Sequence, residues 1–380
     1  YHYSDSFIYG FCHTHLSGTG VSDYGDILLL PSINPISFEP DEYKTKFSHK
    51  EETATANYYD VNLPDNGVKV KLTSALRSGM HRYIFEKNSG YVLLDLKHRD
   101  KTLDFEIEEV GKNAILGYRI SEGWAKDQHC YFYLQFDQGF SSLRYNADSS
   151  KVVLYFENLK NSTLDCAVGL SFTGSMAAYY NLYHDSQSTY KLTSFDSILV
   201  RGKRLWDNEL SKIKVFTKDE EKKHIFYSAL YHCMMHPNTA EDADGKYRGH
   251  DGKIHDSPNH TQYTVFSLWD TYRALHPLMT IIDEKRTSDF INSFLEIYKQ
   301  SGRLPVWELA NNETDCMIGY HSVSVIADAY MKGIRGFDTT LALEAMVASA
   351  NEDIFGLPSY RKYGFVRAED ESESVSKTLE

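Results

Sequence analysis

A change of hydrophobic period near residue 200 constrains the fold more than any other feature. Before it, short runs alternate apolar and polar side chains: Val68, Val70 and Leu72 are interleaved with Lys69, Lys71 and Thr73. Period two puts one face of a strand in a core and the other in water. Similar runs recur at 91–96, 114–120, 131–136, 151–156 and 166–172, separated by clusters of Gly, Asn, Asp and Ser. Many short strands with frequent turns predict an antiparallel β-sandwich. Beyond residue 200 the spacing becomes helical. Thr217 is placed to cap a helix with Asp219 and Glu220 in its first turn, and Ile225, Ala229, Leu230, Cys233 and Met234 follow as a stripe. Ser288 is placed to cap another, with Phe290, Phe294, Leu295 and Tyr298 on one face, and 322–332 and 340–350 read as two more. The predicted order is a sandwich over 1–198, a helical connector over 199–216 and a helical domain over 217–380.

Length and composition agree with a multidomain chain. Its 380 residues are 42% hydrophobic, enough for two or three cores. The net charge of −13 argues against nucleic acid and anionic membranes, which basic patches recognise. No apolar run approaches the ~18 residues of a membrane span. Aromatic residues make up 14% of the chain, 28 of them Tyr, which suits a β-rich domain and sugar-type ligands. The five cysteines are widely spaced, with no CxxC pair, so neither a zinc site nor a disulfide framework is expected. The chain opens on Tyr1 without Met, and 374–380 reads as the first turn of a helix with no stop after it. A piece of a longer protein is therefore expected.

Four segments concentrate reactive side chains. In the first, His13 and His15 lie two apart beside Gly18-Thr19-Gly20, placed either to hold a metal or to hydrogen-bond within a packed loop. In the second, Asp242, Asp244 and Gly245 faintly resemble a calcium loop, but the bidentate Glu that would close it is missing. In the third, Ser267–Arg273, Trp269 and Arg273 share a helix face and Asp270 stands three from Arg273. That spacing serves a structural ion pair, or a sugar platform with Asp270 accepting from a hydroxyl. The fourth is the richest: Glu308, Glu313 and Asp315 fall within eight positions beside Trp307. Cleaving a glycosidic bond needs a carboxyl that stays protonated near neutral pH, and burial beside apolar groups raises a carboxyl pKa.

Taken together, GFCHTHLSGTGVSDYGDILLLP at 10–31, ALRSGMHRY at 75–83, SALYHCMMHPNTAEDADGKYRG at 228–249, SLWDTYRALHPL at 267–278, GRLPVWELANNETDCMIGYHSVSVIADAYMKG at 302–333 and ESVSKTLE at 373–380 resemble glycoside hydrolase family 92, calcium-dependent exo-acting α-mannosidases. The resemblance spans nearly the whole chain in a consistent order. It implies a mixed multidomain fold, an N-terminal antiparallel β-sandwich followed by part of an (α/α)6 helical barrel. It implies inverting hydrolysis of terminal α-linked mannose from glycans, with α-1,2 the leading linkage. Glu313, in the NET segment, corresponds to the general acid. Trp269, Asp270, Arg273, Trp307, Asp315 and His13 are the implied substrate contacts. A Ca²⁺ ion would be held by Glu373 and by Cys316 and Ser376. A thiol suits calcium poorly, so the backbone oxygen of Cys316 is the expected ligand, and a carbonyl of Ser376 similarly.

Two departures stand out. Ser372 occupies a position where the family often has His. The family's general base is an Asp further toward the C-terminus, so no residue of this chain takes that role, and the chain alone is expected to be inactive. The competing expectation is a non-catalytic mannose- or glycan-binding module; a weaker one is a phosphorolytic disaccharide enzyme on a related scaffold. By family analogy the parent protein is expected to be secreted, periplasmic or on the cell surface. Mannose-containing glycans are the expected partners.

Overall fold

The computed structural model describes residues 2–21, 23–187 and 192–380. By internal packing the chain divides into two units, Tyr1–Ser211 and Lys212–Glu380.

The first unit is built on twelve antiparallel strands. They are β1 (Leu28–Ser32), β2 (Glu52–Thr55), β3 (Tyr58–Leu63), β4 (Val68–Ser74), β5 (Ser78–Phe85), β6 (Gly90–Asp95), β7 (Lys101–Val110), β8 (Ala114–Glu122), β9 (Gln128–Phe136), β10 (Ser142–Tyr145), β11 (Lys151–Phe156) and β12 (Thr163–Ser171). Eight form one sheet in the order β2-β3-β4-β5-β12-β9-β8-β7, and four form a second, β10-β11-β6-β1. Leu93, Leu94, Val152 and Leu154 of the smaller sheet share one buried cluster with Val61, Val70, Tyr83, Phe132 and Leu164 of the larger. That shared core makes the two sheets a sandwich. Every run read as a strand from its alternation is a strand. Strand β7 has no buried residue and alternates exposed with half-buried positions, as an edge strand with charged side chains does.

Two helices cover the outer face of the large sheet, α1 (Ser175–Ser186) and α2 (Phe195–Leu210). Ala178, Leu182, Phe195 and Ile198 pack there with Met80, Tyr133 and Ala167. The approach is close because Gly169 has no side chain: a Cβ there would lie 2.2 Å from the carbonyl oxygen of Ala178. Gly202 does the same for α2, where a Cβ would meet Asn57 Nδ2 at 2.8 Å. Helix α2 therefore packs with the sandwich rather than standing apart as a connector.

The second unit is helical: α3 (Glu220–Cys233), α4 (Leu268–Thr271), α5 (Leu275–Ile282), α6 (Glu284–Ser301), α7 (Ser322–Met331), α8 (Thr339–Ala350), α9 (Leu357–Tyr363) and α10 (Ser374–Leu379). Phe290, Ile291, Phe294 and Leu295 of α6 form the centre of its core, against Met279, Val325, Ile326, Ala329 and Ala342. Among the described residues no closed barrel of helices is found. Two helix starts differ from the sequence reading. Asp219, not Thr217, caps α3, accepting from Lys222 N; the Thr217 hydroxyl accepts from Asp219 N just upstream. Asp283, not Ser288, caps α6, accepting from Arg286 N, while Ser288 lies inside the helix and donates to Glu284 O. In both places more than one good capping residue is available; at α6 the earlier start gives a longer helix that buries more of its apolar face, whereas α3 starts two residues later than expected. No helix is long and apolar enough to cross a membrane among the described residues.

Candidate active site

A small three-stranded sheet in the second unit organises the site: β13 (Phe266–Ser267), β14 (Trp307–Leu309) and β15 (Asn312–Glu313). Ser267 pairs with Trp307, Phe266 with Glu308, and Glu308 with Glu313. Strand β13 runs straight into α4, which carries Trp269 and Asp270. The third and fourth segments of the sequence are thus joined by backbone pairing.

Glu308 holds this frame. It is buried, and its carboxylate accepts from the Thr264 hydroxyl at 2.7 Å, Val265 N at 2.8 Å and Asn311 N at 2.7 Å. The Thr264 oxygen in turn accepts from Ala310 N at 3.0 Å. The backbone it clasps is unusual. Val265, Ala310, Asn311, Asp315 and Met317 have φ of 67°, 50°, 64°, 53° and 66°. Left-handed φ at β-branched Val265 is costly and persists only where neighbours impose it, a condition that collects at functional sites. His250 Nε2 lies 3.8 Å from Glu308 and is buried without a hydrogen-bond partner.

Glu313 is held differently. One carboxyl oxygen accepts from Val306 N at 2.8 Å; the other accepts from Trp307 N at 2.8 Å and Asp315 N at 2.9 Å. Burial pushes its pKa up, the three amides pull it down, and the Asp315 charge pushes up again; the net direction is upward. A carboxyl in this state is suited to carrying a proton into a reaction.

Trp269 is half-buried, with its Nε1–H shielded from water and unpaired. Arg273 stacks over Trp269 at 5.6 Å and over Tyr272 at 4.7 Å. The Asp270–Arg273 ion pair suggested by their spacing does not form. Asp270 accepts instead from the Ser267 hydroxyl, and Arg273 reaches Glu380 at 3.3 Å. Three residues without a sequence-assigned role complete this cluster. His321 stacks on Tyr272 with ring centroids 3.8 Å apart, and Glu380 receives the Tyr272 hydroxyl at 3.3 Å and lies 3.6 Å from His321 Nε2. Each lies within a segment quoted above, but nothing local to those segments shows that positions 272, 321 and 380 meet.

The side chains of the other expected contacts are engaged within the protein. Trp307 is buried and offers no ring face to a sugar; its backbone serves the site by binding Glu313 and Thr314. Asp315 is exposed and paired with Arg303. His13 belongs to the first unit, where both ring nitrogens are engaged. Nδ1 is 2.6 Å from Ile27 O, and Nε2 is 2.8 Å from His81 Nε2, whose Nδ1 is 2.8 Å from the Tyr83 hydroxyl. One arrangement of protons satisfies this chain. Tyr83 donates to His81, His81 donates to His13, and His13 donates to Ile27, with both imidazoles neutral. His13 thus has no nitrogen left for a ligand.

The expected calcium ligands fit in kind. Glu373, left-handed at φ 54° before α10, is exposed, and its charge, with that of Asp270, acts on Cys316. Burial raises the Cys316 thiol pKa, which disfavours the thiolate and leaves the carbonyl as the useful donor. The Ser376 carbonyl already accepts from Glu380 N at 3.1 Å and keeps one lone pair. These three residues offer at most four oxygens, short of the six to eight that calcium takes. No group of three or more His, Cys, Asp or Glu suited to a metal occurs among the described residues.

Comparison with known proteins now adds to this geometry. Residues 178–380 match the glycosyl hydrolase family 92 catalytic domain, and residues 1–171 match the glycosyl hydrolase family 92 N-terminal domain. A family 92 α-mannosidase from Bacteroides thetaiotaomicron superimposes with a TM-score of 0.93 at 36% identity, over 100% of this chain and 55% of that one. An inverting mannosidase of the same family and species gives 0.89 at 28% identity, over 100% and 54%. An uncharacterized secreted glycosidase of Arthroderma benhamiae is 22% identical over 435 residues, 98% of this chain and 51% of its own length. The chain spans about half the length of these relatives. With both domain matches in order along it, the chain belongs to glycosyl hydrolase family 92.

Proposed function

We propose that the protein containing this chain is an exo-acting α-mannosidase that removes terminal α-linked mannose, α-1,2-linked first, with inversion. The observation that carries the reading is Glu313, a carboxyl raised in pKa by burial within a strained, tightly bonded loop. Its oxygen bonded only to Val306 N has the freer lone pair and is the natural seat of the proton. From there the proton passes to the leaving-group oxygen. Trp269 and Arg273 form the wall on which the sugar rests, and Asp270 accepts from a hydroxyl. Calcium, held by Glu373 and the carbonyls of Cys316 and Ser376, would bind vicinal sugar hydroxyls and favour a distorted ring. Inversion needs a second carboxyl about 6.5–9.5 Å from the acid, with room for water. We place that base in the part of the relatives' length that this chain does not span, so the 380-residue chain alone is inactive. Export of the parent protein is part of this reading, supported by the fungal relative described as secreted.

The test follows mannose release from α-linked mannobioses by the full-length protein, with calcium and with a chelator. Calcium-dependent release that Glu313→Gln abolishes supports the reading. Release that survives Glu313→Gln at full rate refutes the acid assignment. Binding of mannosides with no release points to the glycan-binding alternative, and turnover by the isolated chain refutes the placement of the base.

A further inference from the structure

One aromatic side chain beside the site takes no part in the mechanism above. Phe355 lies in the turn between α8 and α9, in the same unit as Glu313. Its backbone is left-handed, with φ 53°, and the residue is 39% exposed. A bulky residue in that conformation is strained and persists only where its surroundings impose it. Here they do. Gly356 follows, also left-handed at φ 79°, and a Cβ there would lie 2.5 Å from Val366 Cγ1 and 3.3 Å from Glu371 Cβ. The turn is therefore pressed against the segment that leads into α10. Leu357 N donates to Ile354 O at 3.0 Å and closes it.

Two cations frame the ring. Arg303 lies 5.7 Å from its centroid and Lys377 lies 6.0 Å from it. Both have carboxylate partners: Arg303 is paired with Asp315, and Lys377 with Glu371 at 3.0 Å. Each leads back to the site by its own path. Asp315 N donates to Glu313 at 2.9 Å. Lys377 directly follows Ser376, and its backbone N–H donates to Glu373 O at 3.0 Å. Phe355 thus stands where the segment of the acid meets the segment expected to hold calcium. With both cations in place the ring still meets solvent. It can neither accept nor donate a hydrogen bond, so what it offers a ligand is an apolar surface, the kind that the C–H face of a pyranose covers.

We propose that Phe355 is a specificity-determining contact for the leaving group, with the second sugar of the glycan resting its C–H face on the exposed ring. The inference rests on the mannosidase reading and adds what the departing sugar touches. In that reading Trp269, Arg273 and Asp270 take the mannose. The Glu313 proton goes to the oxygen that joins the mannose to the next sugar, so a ring tied to the acid through Arg303 and Asp315 is placed to meet what lies past that oxygen. Contact with a part of the substrate that does not react can be spent on lowering the barrier, so its loss shows in kcat/KM.

The experiment compares two substrates of the full-length protein. One is the α-linked mannobiose it cleaves best; the other is α-D-mannosyl fluoride, whose leaving group carries no sugar. Water replaces the departing sugar or the departing fluoride at the anomeric carbon, so both substrates report the same mannose contacts. Phe355→Ala should lower kcat/KM on the mannobiose by about three- to tenfold, the size of one aromatic contact. It should leave the value on the fluoride within about twofold. Phe355→Tyr keeps the ring and should restore the mannobiose value. Equal losses on both substrates would make Phe355 a prop for the turn and overturn the proposal. So would unchanged turnover of both. Full-length protein that cleaves no mannobiose would overturn the mannosidase reading and this inference with it, and that outcome is recognised before any substitution is made.

Discussion

Replacing His13 with Gln should make the first unit less sensitive to acid. The His13 ring donates to Ile27 O and meets His81, and His81 meets Tyr83, in a chain that works only with the His13 imidazole neutral. A proton added to His13 would turn the Nε2–Nε2 contact at 2.8 Å into two facing N–H groups, whereas one added to His81 would sit on Nδ1, facing the Tyr83 hydroxyl. Burial accordingly lowers the pKa of His13 from 6.5 to about 4, and holds His81 well below its usual value. The unfolded chain therefore binds protons more tightly than the folded one between these values. The stabilisation is complete above 6.5 and is lost as pH falls toward 4. For His13 alone, linkage puts the loss between pH 7 and pH 4.5 at about 2.4 kcal/mol. The assay is urea unfolding at both pH values, read by pulsed hydrogen exchange in peptides from β5 so that the first unit is followed by itself. The parent chain should lose about 2 kcal/mol more than His13→Gln over this interval, because Gln keeps an acceptor for His81 without a titrating ring. Equal losses, within about 0.5 kcal/mol, would refute the neutral relay, since other titrating groups are common to both chains.

Three further outcomes are expected. Glu313→Gln should lower kcat of the full-length protein on mannobioses by about 10²–10⁴-fold, as loss of a general acid does, with little change in KM. Glu308→Gln should destabilise the second unit by about 1–3 kcal/mol in urea unfolding, because the amide nitrogen cannot accept and leaves a buried donor among Thr264, Val265 and Asn311 unsatisfied. Cys316→Ser should leave calcium affinity within about twofold, since the expected donor is a carbonyl; a loss of more than tenfold would show the side chain to be a ligand.

The sandwich was legible because period two needs only neighbours along the chain, and each alternating run is a strand. The helix starts at Asp219 and Asp283 were harder, because Thr217, Asp219 and Ser288 are all good caps by residue type and only packing selects among them. The loop that carries Glu313 was legible as a motif, but its restraint was not: Glu308 finds its partners at 264, 265 and 311 through strand pairing. Trp307 shows the opposite failure. A Trp beside carboxylates reads as a sugar platform, yet this one is buried. His13 likewise meets its partner 68 positions away, a distance no local pattern bridges.

Glu308 also has a consequence for inheritance. One carboxylate ties the backbone of Asn311, in the loop that carries Glu313, to that of Val265, beside the strand that leads into Trp269 and Asp270. Positions 264, 308 and 311 therefore form a unit that cannot drift one residue at a time. A lineage that replaces Glu308 must rebuild the turn at Val265 and the turn at Ala310-Asn311 together. Between homologues the two segments should be exchanged as a block, and a chimera that takes only one of them should fold poorly even when every side chain in its pocket is retained.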